Sequence, residues 1–319
     1  MDAHLAYSKD RVWSSVLMAV AIGAGLAFPA LAAACLPFIF IALFFVVVFS
    51  LNTLEESPAT ILTNINTFTW TIVSWQMFII PALITVVCVL FDAPVLVTMI
   101  LLATTTAGSV FASPALVEMA GLNRRLAMRS MIISTFAMPI SLLVFGTIND
   151  VLPPDMSFDL YGQHILTYLA VPLLISHCFS KIKPRMKRAT AAGIVRGMGW
   201  CSTLSLMVFC TGVMSKIHDN QLGQSADLVI YLTFAIGLSI IMYILTTMLF
   251  RPFGRKDSMT AGMLVANRNV ALSFGLLAQV FPDEVMIYVA VCQFPIFLTP
   301  LVLRLYRIFV TSTPVHARG

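Results

Sequence analysis

The chain has 319 residues, 59% of them hydrophobic and 10% charged, with a mean hydropathy of +0.94 and a formal net charge of +5. Soluble domains carry about 25% charged residues, so this composition excludes a soluble globular protein and describes an integral membrane protein. Its apolar runs are about 18 to 28 residues long and match a hydrocarbon core of roughly 30 Å at 1.5 Å per residue, whereas a barrel would need short alternating segments.

The N-terminal stretch MDAHLAYSKDRVW mixes both charge signs and leads into an apolar run without a small-residue cleavage site, so a removable signal peptide is not expected. Ten spans follow in chain order, at about 13–32, 34–51, 67–91, 93–120, 126–148, 162–180, 194–215, 227–250, 258–281 and 285–309. The boundary between the first two rests on FPALAAACLP, with Pro29 and Pro37, and nine spans is the alternative count. With ten spans and an inner N-terminus, sixteen of the 19 lysines and arginines fall in the inner loops and tails. The others are Lys216 outside and Arg129 and Arg268 within spans. Lys and Arg are retained on the cytoplasmic side, so the expected topology is multi-pass in the plasma (inner) membrane with both termini cytoplasmic. The positive charge is thus a topology signal, and the run KIKPRMKR is a cytoplasmic loop with a lipid-binding patch as its sharper reading; nucleic acid is not implied.

Five spans per half is an odd number, so the second half, 162–310, inserts upside down relative to the first, 1–148, with 311–319 as a cytoplasmic tail. That is the organisation of inverted-repeat transporters. Internal agreement is modest: the fourth span of each half has a polar centre, and the fifth carries proline, Pro139 in one and Pro295 and Pro300 in the other.

Polar residues inside spans are the candidates for chemistry. Span four, LLATTTAGSVFASPALVEMAGL, gathers Thr104, Thr105, Thr106, Gly108, Ser109, Ser113 and Pro114. Glycine is permissive and proline removes a donor, so a break is expected near Gly108 and Pro114. Backbone freed at membrane depth must be satisfied by protein or by a watery cavity; the plainer alternative is a small-residue packing face. Span nine holds GMLVANRNVALSFGLL, with Asn267, Arg268 and Asn269 about ten residues from either end. An arginine there costs about 2.5–3.5 kcal/mol on insertion scales and must face an acceptor or a cavity. It either locks helices by bonding carbonyls or binds an anion at the midplane. Glu118 and Arg129 flank the turn GLNRR and are placed to pair across it, with proton coupling through Glu118 as the alternative. Gln76 and Gln293 add amides at depth. The six cysteines are single and read as small buried hydrophobes; no histidine has a partner at ligand spacing, so neither a metal nor a resident cofactor is expected.

The segments TTTAGSVFASPALVEMAGLNRRLAMRSMIISTFAMPI, WQMFIIPA and GMLVANRNVALSFGLLAQVF, in this order and spacing, make the chain resemble the bile acid:sodium symporter family over nearly its whole length. The resemblance implies an all-α membrane fold in which discontinuous helices four and nine cross at the midplane. It also implies a core domain of helices 3–5 and 8–10 moving against a panel domain of helices 1, 2, 6 and 7, with sodium bound beside the crossing. The chain departs from the family's ion ligands. The ninth-helix glutamate and glutamine fall on Leu264 and Arg268, the fourth-helix asparagine on Pro114 beside Ser113, and fifth-helix hydroxyl positions on Ala127 and Met131; Gln76 and Asn269 survive.

The expected function is therefore alternating-access transport of a small organic anion, a carboxylate, with no enzymatic activity. Substrate contacts are expected from Thr106, Ser109, Ser113, Asn267, Arg268, Asn269 and Gln293, and ion coupling, to sodium or a proton, from Gln76, Ser113, Glu118 and Asn269. A guanidinium suits a carboxylate because its planar donors can bind both oxygens, and its charge argues against sodium in the same place. A sodium-coupled symporter with rearranged ion sites is the first alternative. An arsenite permease fits less well, because span four lacks cysteine. A membrane enzyme or sensor lacks, respectively, a catalytic cluster and a soluble output domain. Oligomeric state is left open.

Overall fold

The computed structural model describes residues 16–17, 20–53, 65–111, 113–152, 158–215, 225–277, 282, 284–285, 287–289 and 291–296. Their regular structure is helical, and an isolated antiparallel bridge joins Ser109 to Arg268. Among the described residues six helices are long and apolar enough to cross a bilayer: Pro29–Asn52, Thr67–Leu90, Arg124–Ile148, Gly162–Arg185, Ala189–Val213 and Val229–Leu249. Their outer faces are apolar, with Leu90 74% and Met248 69% exposed. Such surfaces are solvated by lipid tails and would associate in water, so this is a membrane-embedded, all-helical protein.

Local chemistry sets where the helices stop. Residues 20–27 are helical, Phe28 leaves the helical region at φ −125° and ψ 87°, and Pro29 opens the next helix. A residue before proline is pushed out of the α region, while proline itself is tolerated in the first turn. The break between the first two spans therefore lies at Phe28, not at 32–34 as expected. Pro37 is absorbed into the 3-10 turn Leu36–Phe38, and the helix runs on to Asn52. Asn66 and Asn123 cap the helices that begin at Thr67 and Arg124, their side-chain oxygens accepting from Thr69 N and Leu126 N. The seventh span begins at Arg188, six residues before the expected start. Its first turns, RATAAG, are polar but rich in alanine, and helix propensity carries them where an apolar-run criterion does not.

Two spans are interrupted. The fourth consists of Val95–Thr105 and Ser113–Met119, and the ninth of Arg255–Ala266 and Val270–Leu277. In the tenth, the described residues 284–285, 287–289 and 291–296 are helical; the rest of that expectation, with Pro300, lies outside the described residues.

Packing sorts the helices into two groups. In one, Ile39–Asn52 lies against Val171–Ile182 and Arg188–Val213. In the other, Arg124–Ile148 is central and contacts Thr67–Ser74, Ser113–Met119 and Arg255–Ala266. Its apolar window is 61% buried, against 17% for Ala189–Val213 and Val229–Leu249, which face outward. Ser225–Leu249 joins the second group along Arg255–Ala266, where Gly262 permits the approach: a Cβ there would stand 2.9 Å from the Tyr243 carbonyl oxygen. Val270–Leu277 touches both groups, packing against Val95–Thr105 on one side and against Phe158–Ile165 and Ile39–Asn52 on the other.

Candidate functional site

The two interruptions meet, and each satisfies the backbone of the other. Val110 N donates to Asn267 O at 3.0 Å and Asn269 N donates to Gly108 O at 2.7 Å, on either side of the Ser109–Arg268 bridge. The first break starts where three threonines turn their hydroxyls back on the helix, Thr104 to Ile100 O, Thr105 to Leu101 O and Thr106 to Leu102 O. Gly108 then passes so close to the central helix that a Cβ would lie 3.1 Å from the carbonyl carbon and oxygen of Ser134. Pro114 does not make the break. It is the second residue of Ser113–Met119, where a missing N–H is harmless, so it restarts the helix. At the second break the asparagines serve the two helix ends: Asn267 Nδ2 donates to Met263 O, and Asn269 Oδ1 accepts from Leu272 N.

Arg268 occupies the centre of this crossing and is 3% exposed. Its Nε donates to Val265 O at 2.7 Å, and Nη1 donates to Ala107 O at 2.9 Å, Thr105 O at 3.1 Å and Gln76 O at 3.2 Å. Three of these carbonyls are the orphans left where Val95–Thr105 and Arg255–Ala266 end. Both helices direct their negative dipole ends here, and a cation is the natural complement.

The fourth acceptor, Gln76 O, is free for a reason written in the sequence. Residues Trp75–Ile79 form a π turn, so Ile80 N bonds Trp75 O instead of Gln76 O, and the next residue, Pro81, has no N–H. Pro81 also leaves Met77 O without its helical donor, and Ser141 Oγ fills that place. Gln76 contributes its side chain as well: its Nε2 donates to Ser109 Oγ at 3.0 Å, and Ser109 lies within reach of Leu264 O at 3.2 Å. Ser134 Oγ accepts from Ser109 N at 3.1 Å, which ties the crossing to the central helix.

Of the residues expected from sequence, Gln76, Gly108, Ser109, Asn267, Arg268 and Asn269 are joined in this hydrogen-bonded unit. Ser113 borders it through its backbone bond to Val110 O, and its hydroxyl, like Arg268 Nη2, is buried without a hydrogen-bond partner among the described residues. Thr106 marks the end of Val95–Thr105. Gln293 turns to its own helix, donating to Val289 O at 3.0 Å. Glu118 pairs with Arg124 at 3.0 Å instead of Arg129, because Arg124 sits at the start of the next helix directly across the turn. The fork expected for a carboxylate is not free either: Nε and Nη1 are committed to carbonyls, and Nη2 is the nitrogen left over. Cys178 and Cys201 are exposed instead of buried, as an apolar thiol can be on a lipid-facing surface. Among the described residues no three His, Cys, Asp or Glu side chains gather to hold a metal ion.

Sequence reasoning missed Ser134 as the anchor of the first break and His164, whose Nδ1 lies 3.1 Å from Leu276 O. The serine gave no signal, being one hydroxyl among several in its helix. Pro81, five residues after Gln76, was the available sign that Gln76 O had no helical donor. No protein-family model matches this chain, and a search of curated proteins finds no significant match.

Proposed function

We propose that this protein is a secondary transporter of a small organic anion, a carboxylate, working by alternating access with the architecture of the bile acid:sodium symporter family. In this reading ten spans form two inverted five-helix repeats, and both termini are cytoplasmic. The Arg124–Ile148 group with the crossing is the core that moves against the panel containing Ile39–Asn52 and Arg188–Val213. The observation that carries the proposal is the mutual pairing of two interrupted helices around a buried, permanently charged Arg268. Broken helices at membrane depth line binding sites in transporters, and half-helix ends supply their electrostatics.

Sodium is not needed in this scheme. The carbonyls that would attract a free cation are held by the guanidinium, and a second unit charge about 4 Å away meets roughly 4 kcal/mol of repulsion at an effective dielectric of 20. An anion gains the same interaction with opposite sign, through Nη2 once the crossing is opened to one side of the membrane.

The test is thermal stability of the purified protein in detergent against a panel of small carboxylates, each in sodium and in choline buffer. A ligand at about 100 times its Kd raises stability by roughly 2.7 kcal/mol. We expect a shift with one carboxylate class that is equal in both buffers and is lost in Arg268→Lys, which keeps the charge but not the planar donors. A shift that needs sodium would replace this reading by sodium symport, and no shift with any anion would refute the substrate class.

A further inference from the structure

We infer that His164 is a positioning residue: it latches the half-helix Val270–Leu277, at Leu276, to the Phe158–Ile165 helix, and so holds the crossing against the other group of helices. His164 Nδ1 lies 3.1 Å from Leu276 O. The acceptor is a carbonyl, so the contact is a hydrogen bond with the proton on Nδ1. Leu276 lies in the half-helix Val270–Leu277 that follows the second break. The imidazole reaches that carbonyl from a different helix, Phe158–Ile165.

The ring is itself held from the other side. It stands edge-on to Tyr168, with centroids 5.9 Å apart, and Tyr168 in turn contacts Phe40 at 6.3 Å. A chain of three rings thus runs from Ile39–Asn52 to the imidazole that reaches Leu276 O. The other side-chain hydrogen bonds named above remain within one group: Gln76–Ser109, Ser134–Ser109, Ser141–Met77 and the four from Arg268. His164 bridges the seam. The inference rests on the transporter proposal for its consequence: if the two groups slide, this bond breaks and re-forms in every cycle, and it sets how firmly the present arrangement is held.

The experiment compares wild type, His164→Phe and His164→Gln in detergent by hydrogen exchange of the backbone amides of 270–277, with proteoliposome uptake of small radiolabelled monocarboxylates as a second arm. Phenylalanine keeps the ring against Tyr168 and removes the donor; glutamine restores an N–H. Loss of a bond of ordinary strength corresponds to about a fivefold change in an opening equilibrium. The latch predicts exchange about fivefold faster in 270–277 for His164→Phe, near-wild-type exchange for His164→Gln, and an unchanged rate in Arg124–Ile148. Equal exchange in wild type and His164→Phe would overturn it, and so would acceleration spread evenly over all helices, which marks general destabilisation. The uptake arm answers the separate question. Absence of uptake by wild type counts against the transporter proposal, while the exchange pattern alone decides the role of His164.

Discussion

Replacing Arg268 by alanine tests the physical account of the crossing directly. The substitution takes away one N–H at Nε and two at Nη1, and leaves the carbonyls of Val265, Gln76, Thr105 and Ala107 without that donor. Bonds from a charged donor contribute about 1.5–3 kcal/mol each, so three N–H groups set an upper bound near 9 kcal/mol. They share one side chain, however, and water entering the vacated space can serve some of the carbonyls. We therefore expect about 3–5 kcal/mol, the range for buried ionic contacts broken from one side. At roughly 2–4 °C per kcal/mol, the scale for domains of about 150–250 residues, Tm falls by about 6–20 °C. Thermal unfolding in detergent, followed by tryptophan fluorescence, reads this. Arg125→Ala, at an exposed position, is the control and stays within about 0.5 kcal/mol. Arg268→Lys falls between alanine and wild type, because one ammonium cannot serve carbonyls arranged for a planar fork. An Arg268→Ala protein within 2 °C of wild type, on about the same scale, would refute the view that the guanidinium pins the breaks together.

Gly108→Ala places a methyl group against the Ser134 backbone and should cost about 1–3 kcal/mol, read in the same unfolding assay. Asn269→Ala removes the cap of Val270–Leu277 and should cost about 1 kcal/mol, with faster hydrogen exchange confined to that half-helix. Glu118→Gln breaks a partly exposed ion pair, so it should change stability by less than about 1 kcal/mol, with the difference shrinking in high salt. A larger, salt-insensitive effect would mean that Glu118 does more than pair with Arg124.

The interruptions of spans four and nine were legible because they are written in local chemistry: threonines that back-bond, a glycine, and asparagines able to serve exposed helix ends. Their partnership was not, since which break faces which depends on contacts about 160 residues apart in sequence, such as Ser109 with Leu264. Pro114 misled because proline marks a helix start as readily as a break. The first boundary was misplaced for a related reason: Pro29 and Pro37 look alike in sequence, but the first begins a helix after an extended residue while the second lies in a 3-10 turn that continues one. Apolar-run length also underestimated Arg188–Val213, whose first turns, RATAAG, are polar but rich in alanine. His164 was invisible, because a lone histidine in an apolar helix reveals its partner through tertiary packing alone.

Whether Arg268 is a lock or an attractor for anions is not a choice between exclusive roles. A carboxylate partner would have cancelled its charge. Carbonyl oxygens satisfy the N–H groups with dipoles and leave a full unit of positive charge at the crossing, in surroundings where screening is weak. Among the described residues Glu118, at the neighbouring turn, is paired with Arg124 at 3.0 Å. The same carbonyls that make the guanidinium rigid therefore preserve its field. Under the transport proposal, an anion that reaches Nη2 competes with Thr105 O, Ala107 O and Gln76 O for one delocalised cation, and those carbonyls belong to the helices and the break that define the crossing. Binding energy is then expressed as a change in how tightly the breaks are tied. On that argument Arg268→Lys loses two things at once: part of the stability of the crossing, and the ability of an anion to alter it.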